Sequence, residues 1–93
     1  MLKITVMKDL STKEFAVECV NALVGVRNGI RCLKWGINDG DELKLDSVLR
    51  YLDVLCEEDS AHWNECWRRF GGNSTSESFD EFRSAFLDAA KEA

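Results

Sequence analysis

The chain contains no proline. Without the residue that most reliably stops a helix, glycine and small polar residues are left to punctuate it, and these cluster at Gly36 to Gly40 and at Gly71 to Ser76. The segments between those clusters are long, which favours helices. His62 is the single histidine, so any Ser-His or Cys-His nucleophile would have to be built around that one ring. Cys-x-x-Cys is absent, and Gly25 and Gly29 are followed by neither Lys-Ser/Thr nor dinucleotide-type spacing. Their spacing of four suits close helix approach instead. No apolar run nears the roughly 20 residues of a membrane span. The N-terminus lacks the apolar core of a secretory signal. The expectation is a cytoplasmic protein with no membrane partner, forming a single domain over residues 1–93.

The charge present is unevenly distributed. Residues 1–36 carry six basic and three acidic side chains, whereas residues 39–59 carry eight acidic and two basic. The acids are Asp39, Asp41, Glu42, Asp46, Asp53, Glu57, Glu58 and Asp59. Most of the net charge of −5 therefore sits in one segment. Such a segment creates a directional negative field, which attracts basic partners and repels nucleic acid.

Periodicity predicts an all-α fold, a compact bundle of about four helices. Ser11-Thr12-Lys13-Glu14 is a capping-box pattern. After it Phe15, Cys19, Leu23, Val26, Ile30, Leu33 and Ile37 recur at steps of three and four along one face. Asn28-Gly29 within this run is also a strong hairpin turn. The helix is preferred because strand alternation is poor on both flanks and Arg27, Arg31 and Lys34 share a helical face. In the second segment Leu45, Val48, Leu49, Leu52, Leu55 and Cys56 form an apolar arc opposite Asp46, Arg50, Asp53 and Glu57. Ser60 is placed to cap a third helix with Trp63, Cys66, Trp67 and Phe70 inward and a glycine stop at Gly71-Gly72. Ser78-Phe79-Asp80-Glu81 is a second capping box, opening a last helix with Phe79, Phe82, Phe86 and Ala90 inward. Leu2, Ile4 and Val6 alternate with Lys3, Thr5 and Met7, as in a short extended segment. It serves as an arm, or as a strand that pairs two copies into a homodimer.

The chemical possibilities are few. His62 and Cys66 stand four apart and could supply two zinc ligands, but two more are lacking; a core cysteine beside a rim histidine is the simpler reading. Cys19, Cys32, Cys56 and Cys66 all fall within apolar helical patterns, so reduced, buried thiols are expected rather than bridges. The Asn38-to-Glu42 loop fails as a calcium site, because aligning Gly40 to the sixth position puts Trp35 and Ile37 where oxygen ligands are required. A solvent-facing acid stripe gives its carboxylates nearly one environment, unsuited to acid/base catalysis. No enzyme, metal or cofactor is expected.

Trp35, beside the acidic loop and the basic residues, is the best candidate for an exposed aromatic anchor. Arg27, Arg31, Lys34 and Trp35 also make a small basic and aromatic patch, too few charges in an acidic domain to suggest direct nucleic-acid binding. The function expected is that of a small acidic inhibitor. It would bind a basic, nucleic-acid-handling effector or nuclease through the carboxylates from Asp39 to Asp59 and Trp35, and so occlude its phosphate-binding surface. In size and charge the chain is similar to toxin-immunity proteins and to viral counter-defence proteins such as anti-CRISPR inhibitors, without a shared motif. The alternative is a self-associating helical adaptor whose acidity serves solubility.

Overall fold

The computed structural model describes residues 7–38, 45–57, 60–71 and 77–93, with the side chains of residues 36–38, 56, 57, 77 and 78 excepted. These residues form an all-α fold. A 3-10 turn at Met7–Asp9 leads into α1 (Thr12–Val24), α2 (Gly29–Asn38) and α3 (Leu45–Asp53); a second 3-10 turn at Val54–Glu57 precedes α4 (Ala61–Phe70) and α5 (Glu77–Glu92). The acidic stretches 39–44 and 58–59 and the alternating N-terminal segment lie outside the described residues, and with them the question of strand pairing.

The first helix starts as the sequence predicts. The Glu14 amide donates to Ser11 Oγ at 3.1 Å, and the Ser11 amide donates to Glu14 Oε1 at 3.0 Å, completing the capping box. The predicted single helix through residue 37 is divided, however, which raises the count from four helices to five. The reason is local. The Gly25 amide turns back to the Asn21 and Ala22 carbonyls, and Asn28 takes a left-handed conformation with φ of 68°. Asparagine is among the few non-glycine residues that tolerate this region. Asn28-Gly29 therefore makes a corner between two helices, neither a hairpin nor a helical interior. Gly29 is buried there, and a Cβ on it would fall 2.7 Å from the Leu23 carbonyl oxygen. Only glycine lets α2 start this close to the end of α1.

The core joins α1 and α5, the most extensively packed pair of helices. Phe82 is its hub: its ring centroid lies 5.1 Å from Phe70, 5.5 Å from Phe15 and Phe86, and 6.1 Å from Phe79. Phe79, Phe82, Phe86 and Ala90 all point inward as predicted, and so do Leu45, Val48, Leu49, Leu52 and Leu55 from the second apolar arc. α5 begins at Glu77, so Ser78 stands inside the helix rather than at its N-cap.

The third predicted helix exists, but it is rotated from the expected face. Ser60 has helical backbone angles and makes no side-chain cap, while Gly71, left-handed at φ of 54°, closes the other end by donating to the Trp67 carbonyl. His62, Glu65, Cys66 and Phe70 are the buried residues of α4, so His62 is a core residue rather than a rim one. Trp67, expected inside, is 45% exposed, and Trp63 meets it edge-on at the border of the core. The cause is an ion pair that takes the inner face. Glu65 is 6% and Arg69 12% exposed, with Arg69 Nε donating to Glu65 Oε2 at 2.6 Å. Arg69 Nη2 also donates to the Met7 carbonyl at 2.9 Å and to that of Leu10, and its guanidinium lies over the Phe15 ring at 4.7 Å. Arg68, largely exposed, donates to Glu65 from the outside.

Gly29→Ala should lower stability by about 2 kcal/mol in chemical denaturation, because backbone must shift to admit the methyl. Gly25→Ala, whose Cβ meets nothing nearer than 3.5 Å, should be neutral or stabilising. Hydrogen bonds from Arg68, and then from Arg69, hold the Glu65 carboxyl below its ordinary value of 4.5, against the opposing effect of burial. A depressed folded value means that the stabilisation is complete above pH 4.5 and is lost as pH falls through the folded value. The Glu65→Gln variant should be less stable at neutral pH and should lose less stability than the parent on acidification; parallel stability curves for the two would contradict this assignment.

Candidate protein-binding surface

α3 owes its placement to its two-sided sequence. Leu45, Val48, Leu49 and Leu52 turn into the core, so Asp46, Arg50 and Asp53 face solvent on the other side. Of the eight acids from Asp39 to Asp59, the structure thus locates the side chains of Asp46 and Asp53. They stand seven residues apart, two turns along one helix face, about 10 Å at 1.5 Å per residue. Glu57 ends the following 3-10 turn with its side chain undescribed, and Asp39, Asp41, Glu42, Glu58 and Asp59 lie outside the described residues.

Trp35 is 64% exposed, the most exposed of the large hydrophobic side chains described. It sits on α2, which contacts α3, and the chain runs from it directly into the acidic segment. The Arg31 guanidinium lies 5.6 Å from the Trp35 ring centroid, one turn back on the same helix. This cation–π contact restrains the ring and leaves most of it open. Lys34 Nζ reaches the Ala93 carbonyl and so fastens α2 to the end of α5. Arg27, predicted on the helical face with Arg31 and Lys34, lies instead in the turn before α2. The basic residues are therefore spread over a corner and a helix, and Lys34 is committed to an internal contact.

The cysteines divide. Cys19 and Cys66 are fully buried, as expected, but Cys32 is exposed, because Ile30 and Leu33 take the core side of α2 and leave Cys32 beside Arg31 on the outer side. Cys56 has no described side chain. Burial pushes the Cys66 thiol up to about 12, with Arg69 opposing, and raises Cys19 further, with Cys66 adding to the effect. Both are protonated at neutral pH, the form that neither attacks nor binds zinc. Among the described residues no three His, Cys, Asp or Glu side chains converge as a metal would require, and no helix is long and apolar enough to cross a membrane.

Sequence reasoning missed the Glu65–Arg69 pair, although an acid four residues before a base is a recognisable signal. It also missed an open groove of about 900 Å³ beside α1 and α5, lined in part by Val17 and Val24, which are 41% and 51% exposed. Val17 and Val24 are seven apart on the flank of an amphipathic helix, and pattern alone does not separate such a flank from the core face. No protein-family model matches the chain, and neither does any curated protein or solved structure.

The division of thiols gives a direct check. A thiol reagent applied to the native protein, with labelled peptides read by mass spectrometry, should modify Cys32 rapidly and Cys19 and Cys66 only after denaturation. Rapid native labelling of Cys66 would mean that α4 is rotated differently.

Proposed function

We propose that the chain is a small acidic inhibitor that binds a basic, nucleic-acid-handling protein and occludes its phosphate-binding surface. The observation that carries this reading is an exposed Trp35 on the helix that leads into the acid-rich segment, followed by α3 with Asp46 and Asp53 facing solvent. The carboxylates supply charge where a nucleic acid would supply phosphates, and the half-restrained indole supplies a rigid apolar anchor of the kind that dominates interface energetics. Charge steers the encounter and sets its rate, while the aromatic contact slows dissociation. No group on this surface has to react. The mechanism is stoichiometric occupation of the partner's positive groove, of the type used by immunity proteins against toxin nucleases or by viral counter-defence proteins.

Capture from a bacterial lysate, at low and at high salt, tests this reading. The tagged chain should recover a basic nucleic-acid-binding protein in stoichiometric amount, less of it at high salt. The triple variant Asp46→Lys, Asp53→Lys, Glu57→Lys should lose that capture with helicity unchanged, and Trp35→Ala should raise the dissociation rate about tenfold or more. Undiminished capture by the triple variant would refute the acidic-surface reading.

A further inference from the structure

The groove beside α1 and α5 is a second surface, independent of the one just described: none of its lining residues is Trp35 or an acid between Asp39 and Asp59. On α1 it runs from Lys13 to Val24, and on α5 from Glu81 to Glu92, about three turns or ~16 Å of each helix at 1.5 Å per residue. It is an elongated trough and not a closed pocket. Its apolar lining comes from Val17 and Val24 on α1 and from Ala85 and Ala89 on α5. The alanines are one turn apart, and their small side chains leave the width that a third helix needs. Among the described large apolar residues, Val17 and Val24 are two of the five left exposed, and they share this trough. A smaller hollow at the foot of α1 adjoins it through Lys13 and Val17, and adds Leu10 to the apolar path.

The rim has one dominant sign. Glu81, Asp88 and Glu92 border the trough and Glu14 and Glu18 the adjoining hollow, five carboxylates against the ammonium of Lys13 and that of Lys34, which bonds the Ala93 carbonyl at one end. That charge selects among possible occupants. An anionic lipid surface or a nucleic acid would be repelled. A second copy of the chain, itself at −5, would bring like charge to the rim.

We propose that this trough is a docking site for a basic amphipathic helix of another protein, whose apolar stripe covers Val17, Val24, Ala85 and Ala89 while its lysines or arginines meet Glu81, Asp88, Glu92 and Glu18. The occupant is read as anchors at spacings of three, four and seven residues with basic flanks, the usual pattern of a helix laid in a groove. Its charges stay at the solvated edge, where they govern selectivity and encounter rate, and the affinity comes from the apolar seam.

The test uses the full chain and synthetic helical peptides of about 16 residues, long enough to span the trough. One has a leucine stripe with lysine flanks, one the same stripe with glutamate flanks, and one the lysine composition scrambled to abolish the stripe. By fluorescence anisotropy the striped lysine peptide should bind one-to-one, and the other two should bind at least about tenfold more weakly. Val17→Glu with Val24→Glu, both at exposed positions, should reduce that binding about tenfold or more with helicity retained. Glu81→Lys with Asp88→Lys should reverse the preference toward the glutamate peptide. Asp9→Lys with Asp80→Lys, at exposed residues that line neither hollow, changes the net charge equally, and it should leave the lysine peptide bound as before. The proposal is overturned if the lysine peptide does not bind, if the scrambled peptide binds as well, or if the two charge-reversal variants weaken binding alike. It is also overturned if sedimentation shows the free chain to be a dimer that the valine substitutions dissociate, since a second copy would then be the occupant. None of these results depends on whether α3 engages a partner.

Discussion

Arg69 holds three parts of the molecule together through one guanidinium. Its ion pair with Glu65 lies within α4, its hydrogen bonds to the Met7 and Leu10 carbonyls reach the turn that precedes α1, and Phe15, the first large core residue of α1, lies beneath it. Taking a guanidinium and a carboxylate largely out of water is costly, and the cost is offset only if nearly every donor and acceptor is met. Here carbonyls and an aromatic face supply what the carboxylate alone would not. The arrangement is specific in a way that apolar packing is not, because a small rotation of α4 would leave a buried charge with too few partners. This is why α4 turns Glu65 inward and leaves Trp67 to solvent, against the simpler expectation that tryptophan takes the core.

The aromatic hub around Phe82 completes what Arg69 orients. Phe15, Phe70, Phe79 and Phe86 converge on one ring from α1, α4 and α5, so burial energy is concentrated where those helices meet. A chain of this length has few apolar side chains to spare once such a core is filled. Among the described residues five large apolar side chains are nevertheless exposed, and three of them mark the surfaces at issue: Trp35 on the helix that leads into the acid-rich segment, and Val17 and Val24 in a trough bordered by carboxylates. The two proposed surfaces share that plan: an apolar contact area with carboxylates nearby, suited to basic proteins and unsuited to nucleic acid.

Much of the fold was legible in the sequence. The capping box at Ser11 and Glu14, the left-handed stop at Gly71, the inward arc of α3 and the inward residues of α5 are all products of local chemistry, which spacing and residue type reveal. What was not legible depended on contacts remote in sequence. The corner at Asn28 requires Gly29 to sit against the Leu23 carbonyl, a close approach that periodicity cannot register. The face of α4 was misjudged because hydrophobicity ranks Trp67 above Arg69, whereas the carbonyls of Met7 and Leu10, some sixty positions away, reverse that order. Cys32 is exposed because Ile30 and Leu33 take the core side of α2, a face that the apolar character of cysteine alone does not reveal. For the candidate surface, the segregation of acids and the choice of Trp35 came from the sequence, while the trough beside α1 and α5 needed the packing of two helices to exist at all.

The central claim is occlusion, that partner and nucleic acid compete for one surface. It is tested most directly by adding this chain to a preformed complex of its captured basic partner with labelled nucleic acid. Stoichiometric release of the nucleic acid, with no species containing all three components, is the result expected. A stable ternary complex, with the nucleic acid still bound, would contradict it.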